Sequence, residues 1–183
     1  MHTLSRRTFD SWEAAKIACD AIAKEAGYAL AIHLKKPNKD KPTYVFLRCS
    51  KGRAYVANAS VADTPADKRR KTDTQMTRCP FRVALLFDKD RRLWTVRPAG
   101  GDHNHTMTAS AMTHRKYRAE TMRKHEEAIV RLYNDGVKPG NIVSRLRNDV
   151  SDPDLAGIDA KIIHNTLARH RTKELAAGRT PLQ

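Results

Sequence analysis

The sequence is poor in aromatic residues and cysteine, and it has no long apolar run. Phe, Trp and Tyr make up 6% of its 183 residues, and the hydrophobic types together reach 40%. This composition predicts small hydrophobic cores rather than one large one. No stretch of about 18 consecutive apolar residues occurs, which excludes a transmembrane helix. Charged residues interrupt the apolar positions of residues 12–26, so we expect no signal peptide.

The chain contains three cysteines, Cys19, Cys49 and Cys79. An odd number of cysteines without a secretory signal argues against a disulfide framework and indicates an intracellular protein. Cys19 falls on the apolar stripe of a predicted helix, which is typical of a buried free thiol. The other two cysteines need a different explanation.

Positive charge dominates the sequence. Lys and Arg number 35 against 20 Asp and Glu, a formal net charge of +15, and such a balance points to a polyanionic partner. The charge is densest between His33 and Arg53, where seven Lys and Arg residues accompany one acid. Residues 68–71 form a further basic run, a candidate nuclear-import signal or a phosphate clamp. We therefore expect a nuclear protein that binds nucleic acid.

The first part of the chain combines one helical pattern with four strand patterns. Residues 10–26 show helical spacing, and Asp10 is placed to cap that helix. From Tyr28 the apolar period changes to two. The strand segments are residues 28–36, 44–50, 79–87 and 93–97. The sequence therefore predicts an α+β domain over residues 1–108, with one N-terminal helix and a four-stranded antiparallel sheet.

Four candidate metal ligands occur in this domain in the order C-x29-C-x23-H-x-H, and they are Cys49, Cys79, His103 and His105. Two thiolates and two imidazoles satisfy tetrahedral zinc with no open position, as in a structural site. Cys49 shares its strand phase with Val45 and Leu47, so its sulfur should point into the core. The same spacing also fits two buried thiols and two loop histidines.

Residues 114–175 predict a second domain of three helices. Asp135-Gly136 ends the first helical pattern, Pro139 suits the first turn of the second, and Asp159 is placed to cap the third. The domain is loosely similar to a helix-turn-helix. It is a second DNA reader, through Lys161, Asn165 and Arg169, a three-helix packing domain, or a dimerisation element that forms a homodimer. Residues 176–183 predict a flexible tail.

The segment from Phe9 to His105 resembles the WRKY–GCM superfamily of zinc-binding DNA-binding domains. Within it, the segment is similar to the far-red-impaired-response type, found at the start of Mutator-like transposases and in transcription factors derived from them. The matching segments are Phe9-Asp10-Ser11-Trp12-Glu13-Ala14, Cys49 with Lys51-Gly52, Arg78-Cys79-Pro80-Phe81, Trp94-Thr95-Val96 and His103-Asn104-His105. The resemblance implies one structural Zn²⁺ on the four ligands. It also implies that the strand over residues 28–36 enters the DNA major groove edge-on.

The WRKYGQK heptapeptide of plant WRKY factors is missing from this strand, so the resemblance does not imply their DNA motif. The strand's own alternation predicts that Leu30, Ile32 and Leu34 are buried, while His33 and Lys35 face outward toward base edges or phosphates. Six further basic residues would mostly hold phosphates, and they are Lys36, Lys39, Lys41, Arg48, Lys51 and Arg53. The basic run of Lys68, Arg69, Arg70 and Lys71 is the other candidate phosphate contact, unless it is a nuclear-import signal.

The sequence thus predicts a zinc-dependent, sequence-preferring protein that binds double-stranded DNA, as a transcriptional regulator or a transposase-derived protein. The tripeptide His103-Asn104-His105 is similar to part of an HNH nuclease, but no second acidic or histidine cluster follows at useful spacing. A transposase nuclease needs a further domain with dispersed acids, so we expect no enzymatic activity. The alternative is a zinc-stabilised module whose basic surface binds RNA or an acidic protein.

Overall fold

The structure is a computed structural model that describes residues 4–56, 65, 68, 74–108, 110–148 and 152–178. The chain divides into two units, Met1–Thr108 and Ala109–Gln183. The first unit is α+β and the second is helical. Arg69, Arg70 and Lys71 of the predicted phosphate clamp, and residues 179–183 of the predicted tail, lie outside the described residues.

Helix α1 covers Trp12–Glu25, and its N-cap lies one residue later than expected. Ser11, not Asp10, is the N-cap, and its side-chain oxygen accepts a hydrogen bond from the Ala14 backbone N–H at 3.1 Å. A hydroxyl at this position satisfies one of the free N–H groups of the first turn. The helix ends before Gly27, which has the positive φ of +79° that favours glycine.

The sheet has five strands rather than the four predicted. Its order is β1-β5-β4-β3-β2, and all neighbours are antiparallel. The strands are β1 (Thr8–Phe9), β2 (Leu30–Lys36), β3 (Tyr44–Cys49), β4 (Arg82–Asp88) and β5 (Leu93–Pro98). The two residues of β1 pair with Thr95 and Trp94 of β5, and a strand this short has no period by which the sequence could reveal it.

Helix α1 covers one face of the sheet and forms the core of the first unit with it. Val45, Leu47 and Cys49 of β3 are each fully buried, as their shared phase predicts. Cys19 of α1 is buried in the same cluster. Burial raises the pKa of the Cys19 thiol to about 12, so this cysteine is a packing residue rather than a reactive thiol.

Strand β2 lies at the sheet edge and contains a register shift between Ile32 and Leu34. The predicted burial of its apolar residues is wrong beyond Leu30: Ile32, before the shift, is 39% exposed on this edge strand, and Leu34, after the shift, is 37% exposed. The shift reverses the alternation, because an extra residue in one strand moves every following side chain to the other face. Lys35 consequently turns toward α1, where its Nζ lies 3.8 Å from the centre of the Trp12 ring.

The described residues of the second unit form four α-helices rather than three. They are α2 (Arg115–Lys124), α3 (Glu126–Asn134), α4 (Pro139–Arg147) and α5 (Ala160–Ala176). Asp159 caps α5 as predicted, accepting a hydrogen bond from the Ile162 N–H at 2.8 Å. The apolar core joins all four helices and includes Met122, Ile129, Ile142, Leu146, Ile163 and Leu167.

The expected first helix of this unit is broken at His125, which ends α2 and precedes α3. At this break the carboxylate of Asp152 lies 2.9 Å from His125 Nε2 and 2.8 Å from Lys124 Nζ. Both partners lower the pKa of Asp152, to about 2, with the His125 hydrogen bond the larger cause.

None of the helices in the described ranges combines the length and the apolar character that a membrane span requires.

Candidate metal centre

The structure brings together the side chains of all four predicted ligands. One ligand atom from each of Cys49, Cys79, His103 and His105 lies within 4.8 Å of every other. The sulfur of Cys49 is 3.2 Å from His105 Nε2, and that of Cys79 is 3.3 Å from His103 Nδ1. The two imidazole nitrogens are 3.3 Å apart.

The two sulfur–nitrogen separations and the nitrogen–nitrogen separation are close to the edges of a small coordination tetrahedron. Metal–ligand distances of about 2.0–2.3 Å place neighbouring ligand atoms about 3.3–3.8 Å apart. The donor set, two thiols and two imidazoles, is the set that tetrahedral Zn²⁺ prefers in structural sites. The four residues therefore fit a single metal ion in both distance and chemistry.

The turn after β3 positions Cys49. The Gly52 N–H donates to the Cys49 carbonyl oxygen at 2.8 Å, and the Lys51 N–H donates to the thiol. A Cβ atom on Gly52 would lie 2.9 Å from the Cys49 oxygen and 3.0 Å from the Cys79 oxygen. Only glycine allows the two cysteine segments to approach this closely.

Backbone hydrogen bonds join the Cys79 segment to the same turn. The carbonyl oxygen of Lys51 accepts hydrogen bonds from the N–H groups of Thr77, at 3.0 Å, and Cys79, at 3.4 Å. On the other side, the guanidinium of Arg82 donates to the carbonyl oxygens of Cys79 and Phe81. Main-chain hydrogen bonds thus join the segments of the two cysteines, which are 30 residues apart in sequence, and the Arg82 side chain holds the Cys79 segment from the other side.

Asn104 connects the His-x-His segment to the cysteine segment. Its side-chain N–H donates to the Thr77 carbonyl oxygen at 2.9 Å, and its side-chain oxygen accepts from the Thr77 hydroxyl at 3.0 Å. Further along the chain, the Thr108 N–H donates to the Gly27 carbonyl oxygen at 2.9 Å. These contacts orient the two histidines on either side of Asn104.

Aromatic side chains pack around His103. The Phe81 ring lies 4.0 Å from the imidazole, with 16° between the planes, and the Tyr28 ring lies 4.4 Å away. The Nε2 atom of His103 is buried and has no hydrogen-bond partner in the described part of the chain. Its Nδ1 atom is therefore the nitrogen that faces the cluster.

His105 presents its other nitrogen. Its Nδ1 lies 3.0 Å from the Thr106 carbonyl oxygen, which can only accept a hydrogen bond. Nδ1 therefore carries the hydrogen, and the lone pair of Nε2 is directed at the cluster. Hydrogen bonds of this kind orient the ligating histidines of metal sites.

Burial shifts the pKa values of two of these side chains in opposite directions. It raises the pKa of Cys49 to about 11, although the Lys51 N–H opposes the shift. It lowers the pKa of His103 to about 4, and the neighbouring His105 adds to that effect. Without a cation, the buried site thus keeps both groups neutral; a bound metal cation stabilises the thiolate form of cysteine.

The predicted DNA-contact residues of the first unit lie on three parts of it. His33 and Lys36 are exposed on β2, and Lys39 and Lys41 are exposed in the turn that follows. Lys35 is half-buried on the α1 side, and its ammonium donates to the Lys39 carbonyl oxygen at 3.3 Å. Arg48 lies in β3, and Lys51 and Arg53 follow the end of that strand. Lys68 lies in the segment between β3 and β4.

Arg48 lies directly opposite Arg82 on the neighbouring strand β4. Burial lowers the pKa of Arg48, and the positive charges of Arg53 and Arg82 lower it further. No acidic side chain of the described ranges forms an ion pair with these three arginines. A cross-strand pair of like charges is destabilising by itself.

Lys161, Asn165 and Arg169 are exposed on α5 of the second unit. Asn165 and Arg169 line a cleft between α2 and α5. The sequence reasoning did not identify Asn104, Gly52 or Arg82 as site residues. Asn104 could have been identified from its place between the predicted ligands His103 and His105. Gly52 could have been identified from its place three residues after the predicted ligand Cys49.

The chain was compared with family models, with curated proteins and with solved structures, and none of them matches it.

Proposed function

We propose that this protein binds double-stranded DNA in a zinc-dependent, sequence-preferring manner, as a transcriptional regulator or a transposase-derived DNA-binding protein. Strand β2 enters the major groove. Zn²⁺ is held by Cys49, Cys79, His103 and His105. Four protein ligands leave no open position, so the ion supplies folding free energy rather than catalysis, and the proposal includes no enzymatic activity.

The position of β2 at the sheet edge is the observation that carries this proposal. An edge strand has one side free of sheet partners, and β2 is paired only with β3 among the described strands. Its exposed side chains include His33 and Lys36, and the turn after it carries Lys39 and Lys41. A two-stranded ribbon fits the width of the major groove. The imidazole and ammonium groups would contact base edges, and the turn lysines would contact phosphates.

The arginines next to the metal centre give independent support. Arg48 and Arg82 are paired across β3 and β4, the positive charges of Arg53 and Arg82 lower the pKa of Arg48, and an anion bound beside these arginines would relieve their repulsion. Guanidinium groups form paired hydrogen bonds with phosphate oxygens. Arg82 also donates to the carbonyl oxygen of Cys79, which links the phosphate contact to the metal centre.

The resemblance to the WRKY–GCM superfamily and the nuclear location are parts of the same proposal. The resemblance implies edge-on docking of this strand. Lys68 is the one residue of the basic tetrad that the structure describes, and it is exposed. The nuclear location rests on that tetrad and remains a prediction.

Duplex binding by β2 variants tests the proposal. The test variant combines His33→Ala with Lys36→Ala and removes one formal charge. The matched control, Arg6→Ala, also removes one charge, at an exposed residue next to β1, the strand at the opposite edge of the sheet. We expect the β2 double variant to lose its preference between a selected duplex and a scrambled one, with an unchanged circular dichroism spectrum, while Arg6→Ala keeps that preference.

Unchanged discrimination in the β2 variant would contradict the docking of β2. Wild-type protein that binds no duplex but retains an RNA or an acidic protein would favour the alternative of a zinc-stabilised interaction module. The same titration should therefore include a single-stranded RNA of equal length as a competitor.

A further inference from the structure

Two clefts lie beside α5 in the second unit, and they differ in charge. The first, of about 410 Å³, lies between α2 and α5. The second, of about 580 Å³, lies between α3 and α5. Three arginines and an asparagine supply the polar side chains of the first cleft: Arg115, Arg118, Arg169 and Asn165. Its other lining residues are apolar, Met122 and Ile162 among them.

No carboxylate is among the residues that line the α2–α5 cleft in the described part of the chain. Two of its arginines are held by uncharged groups. Arg169 donates from Nη2 to the Thr166 hydroxyl at 3.2 Å and from Nε to the Asn165 carbonyl oxygen at 3.3 Å. Nη1 of Arg118 lies 3.5 Å from the Met112 carbonyl oxygen. These contacts orient the guanidinium groups without neutralising their charge.

The α3–α5 cleft provides the contrast. Its cations, Arg123 and Arg131 among them, are accompanied by four acids, which are Glu126, Glu127, Asp135 and Glu174. The ammonium of Lys173 lies 3.0 Å from a Glu126 carboxylate oxygen. Charge is therefore balanced in this cleft, while the α2–α5 cleft concentrates positive charge.

We propose that the α2–α5 cleft is a second DNA-contact surface that binds the phosphodiester backbone of the duplex. Guanidinium groups match the geometry of phosphate oxygens and suit it better than ammonium groups. The apolar floor lowers the local dielectric and strengthens those contacts. Asn165 adds an amide that donates to a phosphate oxygen or to a base edge. The inference rests on the proposed function in one respect, the identity of the ligand: strand β2 and the α2–α5 cleft would bind the same DNA duplex.

Backbone contacts position a protein on DNA but carry no sequence information. Loss of this cleft should therefore weaken binding to every duplex equally, whereas loss of the β2 contacts should change the preference between duplexes. This difference separates the two proposals in one set of titrations on the full chain.

The decisive variant is Arg118→Gln combined with Arg169→Gln. Its matched control is Arg123→Gln combined with Arg131→Gln, which removes the same charge from the α3–α5 cleft. Affinity for the selected and scrambled duplexes is measured over a range of salt concentrations. We expect the cleft variant to lose affinity about tenfold or more on both duplexes, with the slope of log K against log salt smaller by about 2. The control should stay within about threefold of wild type.

Equal losses in the cleft and control variants would overturn the proposal, because they would mean that net charge alone drives binding. Wild-type affinity in the cleft variant would overturn it too. If the cleft variant loses duplex affinity while the β2 variant keeps its preference between duplexes, the result would support the cleft and contradict β2 docking. Should the double variant unfold, Arg115→Gln repeats the test, because Arg115 is exposed at the start of α2. Its control is Arg145→Gln, at an exposed residue of α4.

Discussion

The ring of Phe81 lies nearly parallel to the imidazole of His103, with 4.0 Å between the ring centres. Phe81 immediately precedes β4, whereas His103 comes after β5, so this contact joins two segments that each supply a metal ligand. The Phe81 carbonyl oxygen also accepts a hydrogen bond from the Cys49 N–H at 3.1 Å. One residue thus contacts both sides of the metal centre.

Replacing Phe81 should loosen His103 without removing a ligand. We expect Phe81→Ala to lower the free energy of unfolding by about 1–3 kcal/mol, since the half-buried ring loses its apolar contacts. Phe81→Leu should retain much of that stability but not the flat face against the imidazole. Both variants should still bind one zinc per chain, with weaker affinity, as measured by competition with a chromophoric chelator. Unchanged zinc affinity in both would contradict the positioning role of this ring.

Glycine at residue 52 should be essential to the cysteine turn. Gly52→Ala places a Cβ 2.9 Å from the Cys49 carbonyl oxygen, so we expect it to cost about 1–3 kcal/mol of unfolding free energy. Gly101→Ala is the matched control, because its Cβ meets only the Pro80 ring, at 3.7 Å. Urea unfolding of the zinc-loaded proteins measures both. Equal stability of the two variants would show that the close approach at Gly52 carries no cost.

Asn104 should slow metal release although it is not a predicted ligand. Asn104→Ala removes two hydrogen bonds to Thr77, and we expect a loss of about 0.5–1.5 kcal/mol together with faster transfer of zinc to a chelator. Asn38→Ala removes a comparable exposed hydrogen bond, to the Lys41 N–H at 2.7 Å, and serves as the control. Zinc transfer at the same rate in both variants would rule out a specific role for Asn104.

The stability contributed by Asp152 should depend on pH. Its folded-state pKa is lowered to about 2 by His125 and Lys124, below the value of about 3.9 for an unfolded chain. The carboxylate therefore stabilises the second unit above pH of about 4, and this contribution disappears as the pH falls toward about 2. We expect Asp152→Asn to cost about 1–2 kcal/mol at neutral pH.

Unfolding of the wild type and Asp152→Asn, followed by helical circular dichroism at several pH values, measures this contribution. The difference between the two proteins should shrink as the pH falls from about 4 toward about 2. A difference that does not shrink over this range would contradict the ion-pair role of Asp152.

Local pattern was enough to predict most strands and the burial of the two cysteines, because a period of two determines which face of a strand each side chain occupies. Cys49 is buried with Val45 and Leu47 for this reason. The resemblance to the WRKY–GCM superfamily was needed to favour a metal site over two buried thiols and two loop histidines. The face of Lys35 could not be predicted in this way. It depends on the register shift between β2 and β3, which is a property of the strand pair rather than of either strand.

The remaining differences have similar causes. His125, at the break between α2 and α3, contacts Asp152, which is 27 residues away in sequence. The basic cleft requires Arg118 of α2 and Arg169 of α5 to meet, and no spacing within one helix indicates that. Long-range contacts of this kind become visible only when the elements are packed.

Selection from a randomised duplex DNA pool tests the central claim most directly. The full chain is assayed with zinc, with a chelator, and with zinc restored after chelation. Zinc-dependent, sequence-preferring binding predicts that one motif is enriched with zinc, disappears with the chelator and returns when zinc is restored. Salt-sensitive binding without an enriched motif, or the same motif in the presence of the chelator, would contradict it.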